Sequence, residues 1–229
     1  MKPIYYLGVV VWLYCPFAFS IILNPTVMTL DIEKKGFAQV IITNNTTARL
    51  PLEASAHPLL FDEEGSYQVQ IKPATNLMIF PPAAMIDPGQ KQAFRVQWSG
   101  AYALSSSQSF FVRFAHIQLA NQEAADYKAE SDIGVNIQIN YNALLHVYTP
   151  RQRSQVVLHI DHNGLAQLTN HGDRFAYSKH LIFEDSDSTL QASISTLLGE
   201  RFIAPLTTLV VDSDSTLPAG DYHGRESRL

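Results

Sequence analysis

The chain has 229 residues, 46% of them hydrophobic and 16% charged, with a net charge of −5 and one cysteine. That is enough apolar material for one large or two small globular domains. The mild acidity, with no long basic run, excludes the electrostatic footprint of a nucleic-acid or anionic-membrane binder.

The first twenty residues stand apart. Lys2 precedes an apolar run from Ile4 to Tyr14, and Ala18-Phe19-Ser20 places small residues where a signal peptidase reads them. Residues 1–20 are therefore expected to be a cleaved signal peptide. Pro16 interrupts the run well short of the roughly 20 apolar residues that a membrane span needs. The bulky Tyr14 before Cys15 argues against lipidation. Cleavage would remove Lys2 and the only thiol, so the mature chain is more acidic by one charge and must hold itself together by core packing alone.

Downstream, short period-two runs alternate with turn residues. Ile21 to Ile32 reads as a first strand broken at Asn24-Pro25, and Ala38, Val40 and Ile42 alternate in a second that stops at Asn44-Asn45-Thr46-Thr47. Leu50, Leu52, Ala54 and Ala56 alternate next. Tyr67 to Ile71, Met78 to Phe80, and the Phe94, Val96, Trp98 and Phe110, Val112, Phe114 sets follow, with a Pro88-Gly89 turn between. A polar loop from Asn121 to Asp132 leads to Val135–Tyr148. Regular short strands with turn signals predict an antiparallel β-sandwich over residues 21–148. Thr149 to Arg153 reads as a hinge, and residues 154–229 as a smaller β-sandwich domain, small enough that its last strands are expected to be abbreviated.

The most informative stretch is Val135 to Asn142. Val135, Ile137, Ile139 and Tyr141 fall on one face, and Asn136, Gln138, Asn140 and Asn142 on the other. Such a strand is stable only with its apolar face buried, in its own core or in another protein.

With the strands in order, the sequence resembles the periplasmic chaperones of the chaperone–usher pilus pathway, most nearly their archaic or alternative branch. The resemblance rests on Asn24-Pro25-Thr26, on Phe80-Pro81-Pro82 followed by Ile86 to Val96 with its Pro88-Gly89 and Arg95, on Ser109 to Phe114, and on Val135 to Pro150. It covers most of residues 21–150. It implies two immunoglobulin-like β-sandwich domains set in an L, and a non-enzymatic function without cofactor or metal. It further implies pilus or fimbrial subunits and an outer-membrane usher as partners, a periplasmic location, and no integral membrane segment after cleavage. Val135, Ile137, Ile139 and Tyr141 would then be donor residues that complete a subunit's sheet, and a strand this apolar should also self-associate when unoccupied.

One departure matters. Many members of that family anchor the subunit's terminal carboxylate with an Arg on the first strand and a Lys near the end of the seventh. Here the first strand reads Thr26-Val27-Met28-Thr29 and the seventh has no Lys, leaving Arg95 and Arg113 as candidate anchors in the sandwich.

Other motifs have plainer readings. Phe80-Pro81-Pro82 reads as an edge-strand proline pair. His159-x-Asp161-His162 has no third clear ligand and reads as polar side chains on the surface, not as a metal site. Asn44-Asn45-Thr46-Thr47 fits a glycosylation pattern, but an Asn-Thr turn is the better reading. No nucleophile setting or Gly-rich phosphate loop supports catalysis. The competing functions are a structural pilus subunit or adhesin and an exported carbohydrate-binding β-sandwich. Subunits commonly carry a cysteine pair and a free donor extension, and a sugar binder would need an aromatic platform.

Overall fold

The computed structural model describes residues 20–34, 36–117, 139–184 and 187–226. Residues 1–19 of the expected signal peptide, the whole polar loop from Asn121 to Asp132, and Val135 and Ile137 lie outside the described residues.

Ten strands form the first sandwich: β1 (Ile21–Asn24), β2 (Val27–Asp31), β3 (Ala38–Asn44), β4 (Leu50–Phe61), β5 (Tyr67–Val69), β6 (Leu77–Phe80), β7 (Ala83–Ile86), β8 (Lys91–Trp98), β9 (Gln108–His116) and β10 (Asn140–Tyr148). One sheet has the order β1-β3-β8-β6. The other runs β2-β10-β9-β4-β5, with β7 also on β4. Alternation in the sequence becomes alternation in burial. Val40, Ile42, Phe94 and Val96 from one sheet meet Phe110, Val112, Phe114, Leu145 and Val147 from the other, nearly all fully buried. Phe94 and Phe114 touch across the gap with ring centroids 4.8 Å apart.

The chain changes sheets twice at prolines. β1 pairs with β3, whereas β2, just past Pro25, joins the other sheet beside β10. Likewise β6 pairs with β8, but β7, beyond Pro81-Pro82, pairs with β4. The Asn24–Pro25 and Phe80–Pro81 peptide bonds are both cis, a geometry the edge-strand reading of Pro81 does not include. The Asn-Thr turn is confirmed in a particular form. Asn44 is fully buried; its amide nitrogen donates to the carbonyls of Ala48 and Ile86, and its oxygen accepts from Thr46.

The second core is separate. β11 (Val156–Ile160), β12 (Ala166–Asn170), β14 (Leu181–Phe183), β16 (Thr207–Asp212) and β17 (Gly220–Glu226) make a sheet ordered β14-β17-β11-β12-β16. β13 (Ala176–Tyr177) pairs with β15 (Phe202–Ile203) in a small second layer. Beside that layer lies α1 (Ser188–Leu198), which sequence reasoning read as part of an all-β region. Asp187 caps it by accepting from the Leu190 N–H, Gly199 ends it with a positive φ, and Ile194 and Leu198 enter the core. β17 was missed as well. It is an interior strand, yet its sequence Gly-Asp-Tyr-His-Gly-Arg-Glu buries no residue fully. Gly224 fits there because a Cβ would crowd the Phe183 ring at 3.2 Å.

Candidate functional site

The site begins with the neighbours of β10. On one side β10 pairs antiparallel with β9 from Asn140 to Val147. On the other it pairs in parallel with β2, but only from Leu144 to Tyr148, starting where the Leu144 N–H donates to the Thr26 carbonyl at 2.8 Å. The reason lies upstream: β1 belongs to the other sheet, so the first strand reaches β10 only after Pro25. Among the described residues, Asn140 to Ala143 therefore have a partner strand on one side alone. Unpaired strand edges are templates for another chain.

Side chains along β10 follow the same division. Tyr141, Ala143, Leu145 and Val147 share the core-facing row. Ala143, Leu145 and Val147 are fully buried, Tyr141 is half-buried against the core opposite Phe114, and burial raises its phenol pKa. The row continues to Ile139, which is 47% exposed, beyond the end of the sandwich. Val27, opposite Leu144 at the start of β2, is exposed to a similar degree. An apolar row thus leaves its own core at the place where the sheet edge opens.

The two arginines offered by the sequence do not converge. Arg95 lies on the outer face of the four-stranded sheet with its guanidinium 4.7 Å from the Phe37 ring centroid. Arg113 lies on the outer face of the other sheet, and its Nε donates to Asn142 Oδ1 at 3.4 Å. With the whole sandwich between them they cannot grip one carboxylate together. Only Arg113 borders β10.

Sequence reasoning overlooked the cations of the cleft between the two sandwiches. This cleft has a volume of about 1220 Å³, and Thr29, Tyr148, Arg153, Arg174, Lys179 and Arg225 are among the residues lining it. The Arg174 guanidinium stacks 4.1 Å over the Tyr148 ring at the end of β10, and its buried Nε has no hydrogen-bond partner. Four cations from the second half of the chain, together with Glu184 and Glu226, line a cleft to which the first strand and β10 supply no cation. No spacing in the sequence announced this, because residues 148 and 174 meet only through the packing of the two sandwiches.

The same junction buries His146. Its Nδ1 lies 2.8 Å from Ser109 Oγ, and its Nε2 lies 2.7 Å from the Tyr177 hydroxyl. Burial lowers the imidazole pKa to about 4 and raises that of Tyr177 to about 12. His159, by contrast, pairs with Asp221 at 2.5 Å on the surface. Asp161 closes its own turn, and its carboxyl pKa is lowered chiefly by the Leu165 backbone N–H. Among the described residues no three His, Cys, Asp or Glu gather to hold a metal, and no helix is long and apolar enough to cross a membrane.

No family model and no curated protein matches the sequence. Solved structures do match in fold. The class 5 fimbriae chaperone CfaA superposes with a TM-score of 0.55 at 10% identity, over 88% of this chain and 87% of its own. The E. coli chaperone DraB gives 0.53 at 14% identity, over 92% and 97%. A chain of the CsuC–CsuE chaperone–tip adhesion subunit pre-assembly complex, from the archaic chaperone-usher Csu pili of Acinetobacter baumannii, gives 0.53 at 14%, over 84% and 90%. The chain has the nearly all-β, two-domain fold of the chaperone–usher pilus chaperones.

Proposed function

We propose that this protein is a periplasmic assembly chaperone that binds pilus or fimbrial subunits by strand addition and delivers them to an outer-membrane usher. The observation that carries this reading is the half-paired state of β10. Among the described residues its edge has one neighbour over Asn140 to Ala143, and its core-facing row runs on to the exposed Ile139. A subunit with an incomplete sheet would gain a row of main-chain hydrogen bonds from that edge and apolar side chains for its open groove. Val135, Ile137, Ile139 and Tyr141 are the proposed donors. Burying each large apolar side chain is worth about 1.5–3 kcal/mol, so the set supplies roughly 6–12 kcal/mol before ordering costs. The work is binding and release, with no chemical step, and the free edge is also where two copies would associate.

A subunit carboxylate lying along β10 would meet Arg113 beside Asn142, or Arg174 where β10 enters the cleft. Arg174 is better placed, since its guanidinium, stacked on Tyr148 at the end of β10, lines the cleft. The test is co-expression with a candidate subunit. Ile139→Asp, and separately Ile137→Asp, should leave this protein folded while the subunit disappears from the periplasm. Unchanged subunit levels with either variant would overturn the donor assignment.

A further inference from the structure

Among the described residues, His146 is the fully buried imidazole, and its ring contacts are with Phe175, Tyr177 and Phe202 of the other sandwich. It projects from the outer face of β10, in register with Ser109 on β9 and Thr29 on β2. Across the junction its ring stacks on Phe175 with centroids 4.3 Å apart and on Phe202 at 4.8 Å, while Tyr177 takes its Nε2. Phe202 in turn touches Phe61 of β4 at 5.4 Å. Two further hydrogen bonds cross beside it. The Phe175 N–H donates to Ser107 Oγ at 2.9 Å, and the Ser107 N–H donates to the Asp173 carbonyl at 2.8 Å. One titratable ring from the first sandwich is thus the peg in an aromatic socket of the second.

We propose that His146 is a latch between the two sandwiches: neutral, it holds their relative orientation and the shape of the cleft, and protonated, it lets them part. Charged groups of both signs surround the socket. Ser109 and Thr29 bring no charge from β9 and β2. From the second sandwich, Arg174 lies 5.8 Å from the Phe175 centroid, Lys179 lies 6.0 Å from that of Tyr177, and His180 meets Tyr177 edge-on at 6.4 Å. Three acids lie nearby, each engaged elsewhere: Asp173 accepts from the Arg153 N–H, Glu200 pairs with Lys179 at 3.7 Å, and Asp31, on the Thr29 face of β2, pairs with Lys34 at 3.6 Å; Arg201 donates to the Leu198 carbonyl. Among the described residues no acid bonds to the imidazole, so a positive charge enclosed there would have neither water nor a counter-ion of its own.

The sign follows from the lowered pKa. A released His146 titrates near pH 6.5, its ordinary value, whereas the enclosed one resists protonation to about pH 4. The closed arrangement is fully favoured above pH 6.5. Below that, the opening equilibrium gains up to about ten-fold per pH unit and levels off below pH 4.

Amide hydrogen exchange of the full-length protein tests this without any subunit, so its outcome is independent of the proposed chaperone role. After correction for intrinsic rates, protection at Ser107 and Phe175 should fall at least ten-fold between pH 6.5 and 4.5 and stay well below that of Phe114 and Leu168 in the two cores, whose exchange requires unfolding and not mere parting of the sandwiches. His146→Phe retains a ring for the stack and should abolish the pH dependence. Tyr177→Phe, which keeps the socket's shape, should lower protection at Ser107 and Phe175 already at pH 7 and stands in if His146→Phe fails to fold. Two outcomes overturn the latch: interface amides as strongly protected as the core amides at every pH, or an acid step that survives in His146→Phe. Unchanged interface protection at pH 7 in Tyr177→Phe would do the same.

Discussion

The two halves of β10 are one continuous strand in two different environments. From Leu144 to Tyr148 it has a neighbour on each side, its core-facing row is fully buried, and its outer face is covered by the second sandwich. From Asn140 to Ala143 it has one described neighbour, and its outer face carries asparagines. The side chains match this change. Asn140 and Asn142 are exposed, whereas His146 two turns of the pleat later has no exposure at all. A strand can therefore be anchored by one end and offered by the other, with the boundary set by where β2 joins it.

The sharpest way to break that comparison is to put a charge in each half. Leu145→Asp would bury an unpaired carboxylate in the first core and is expected to cost more than about 4 kcal/mol or prevent folding. Ile139→Asp, at an exposed position on the same row, should change stability by less than about 0.5 kcal/mol. Urea unfolding midpoints of the two variants measure the contrast, and equal losses would erase the distinction between the halves.

Next in size is the pH dependence that the anchored half confers. Because the His146 pKa is lowered in the fold, the unfolded chain takes up the proton first as pH drops through 6.5. This group's contribution to stability therefore shrinks between pH 6.5 and about 4 and is constant above and below. The slope is at most about 1.4 kcal/mol per pH unit for one proton. Denaturant titrations across that range, compared with His146→Phe, isolate it.

Smaller effects sharpen the picture at the cleft. Arg174→Ala should weaken subunit binding by about ten-fold, the equivalent of one charge-assisted hydrogen bond. Arg113→Ala should weaken it less, and Arg95→Ala, behind the other sheet, not at all. Calorimetric titration with a subunit ranks the three. Tyr177→Phe removes one hydrogen bond at the junction and should cost about 1 kcal/mol, read from the same unfolding curves.

Period-two alternation made most strands of the first sandwich legible, because inward and outward positions on a strand are fixed by backbone geometry and need no partner. Val40, Ile42, Phe94, Val96, Phe110, Val112 and Phe114 all sit in the core that their spacing implies. The second region was read less well. The signals for α1 were present in Asp187, the Leu190–Ile194–Leu198 spacing and Gly199, but a Ser- and Thr-rich surface hid them. β17 gave almost no apolar pattern, because Gly224 and its polar neighbours are placed by Phe183 and β11, not by burial of their own.

The sequence by itself determined that this is a chain of short β-strands with one apolar-faced strand near residue 140, since alternation is a local property of the backbone. Only the tertiary structure decided which side of β10 stays open and which arginines meet at the cleft. It alone also made His146 a buried, neutral contact between two sandwiches. Those outcomes depend on which distant strand arrives alongside, and hydrogen-bond partners and desolvation are set by that arrival, not by any residue's nearest neighbours in the chain.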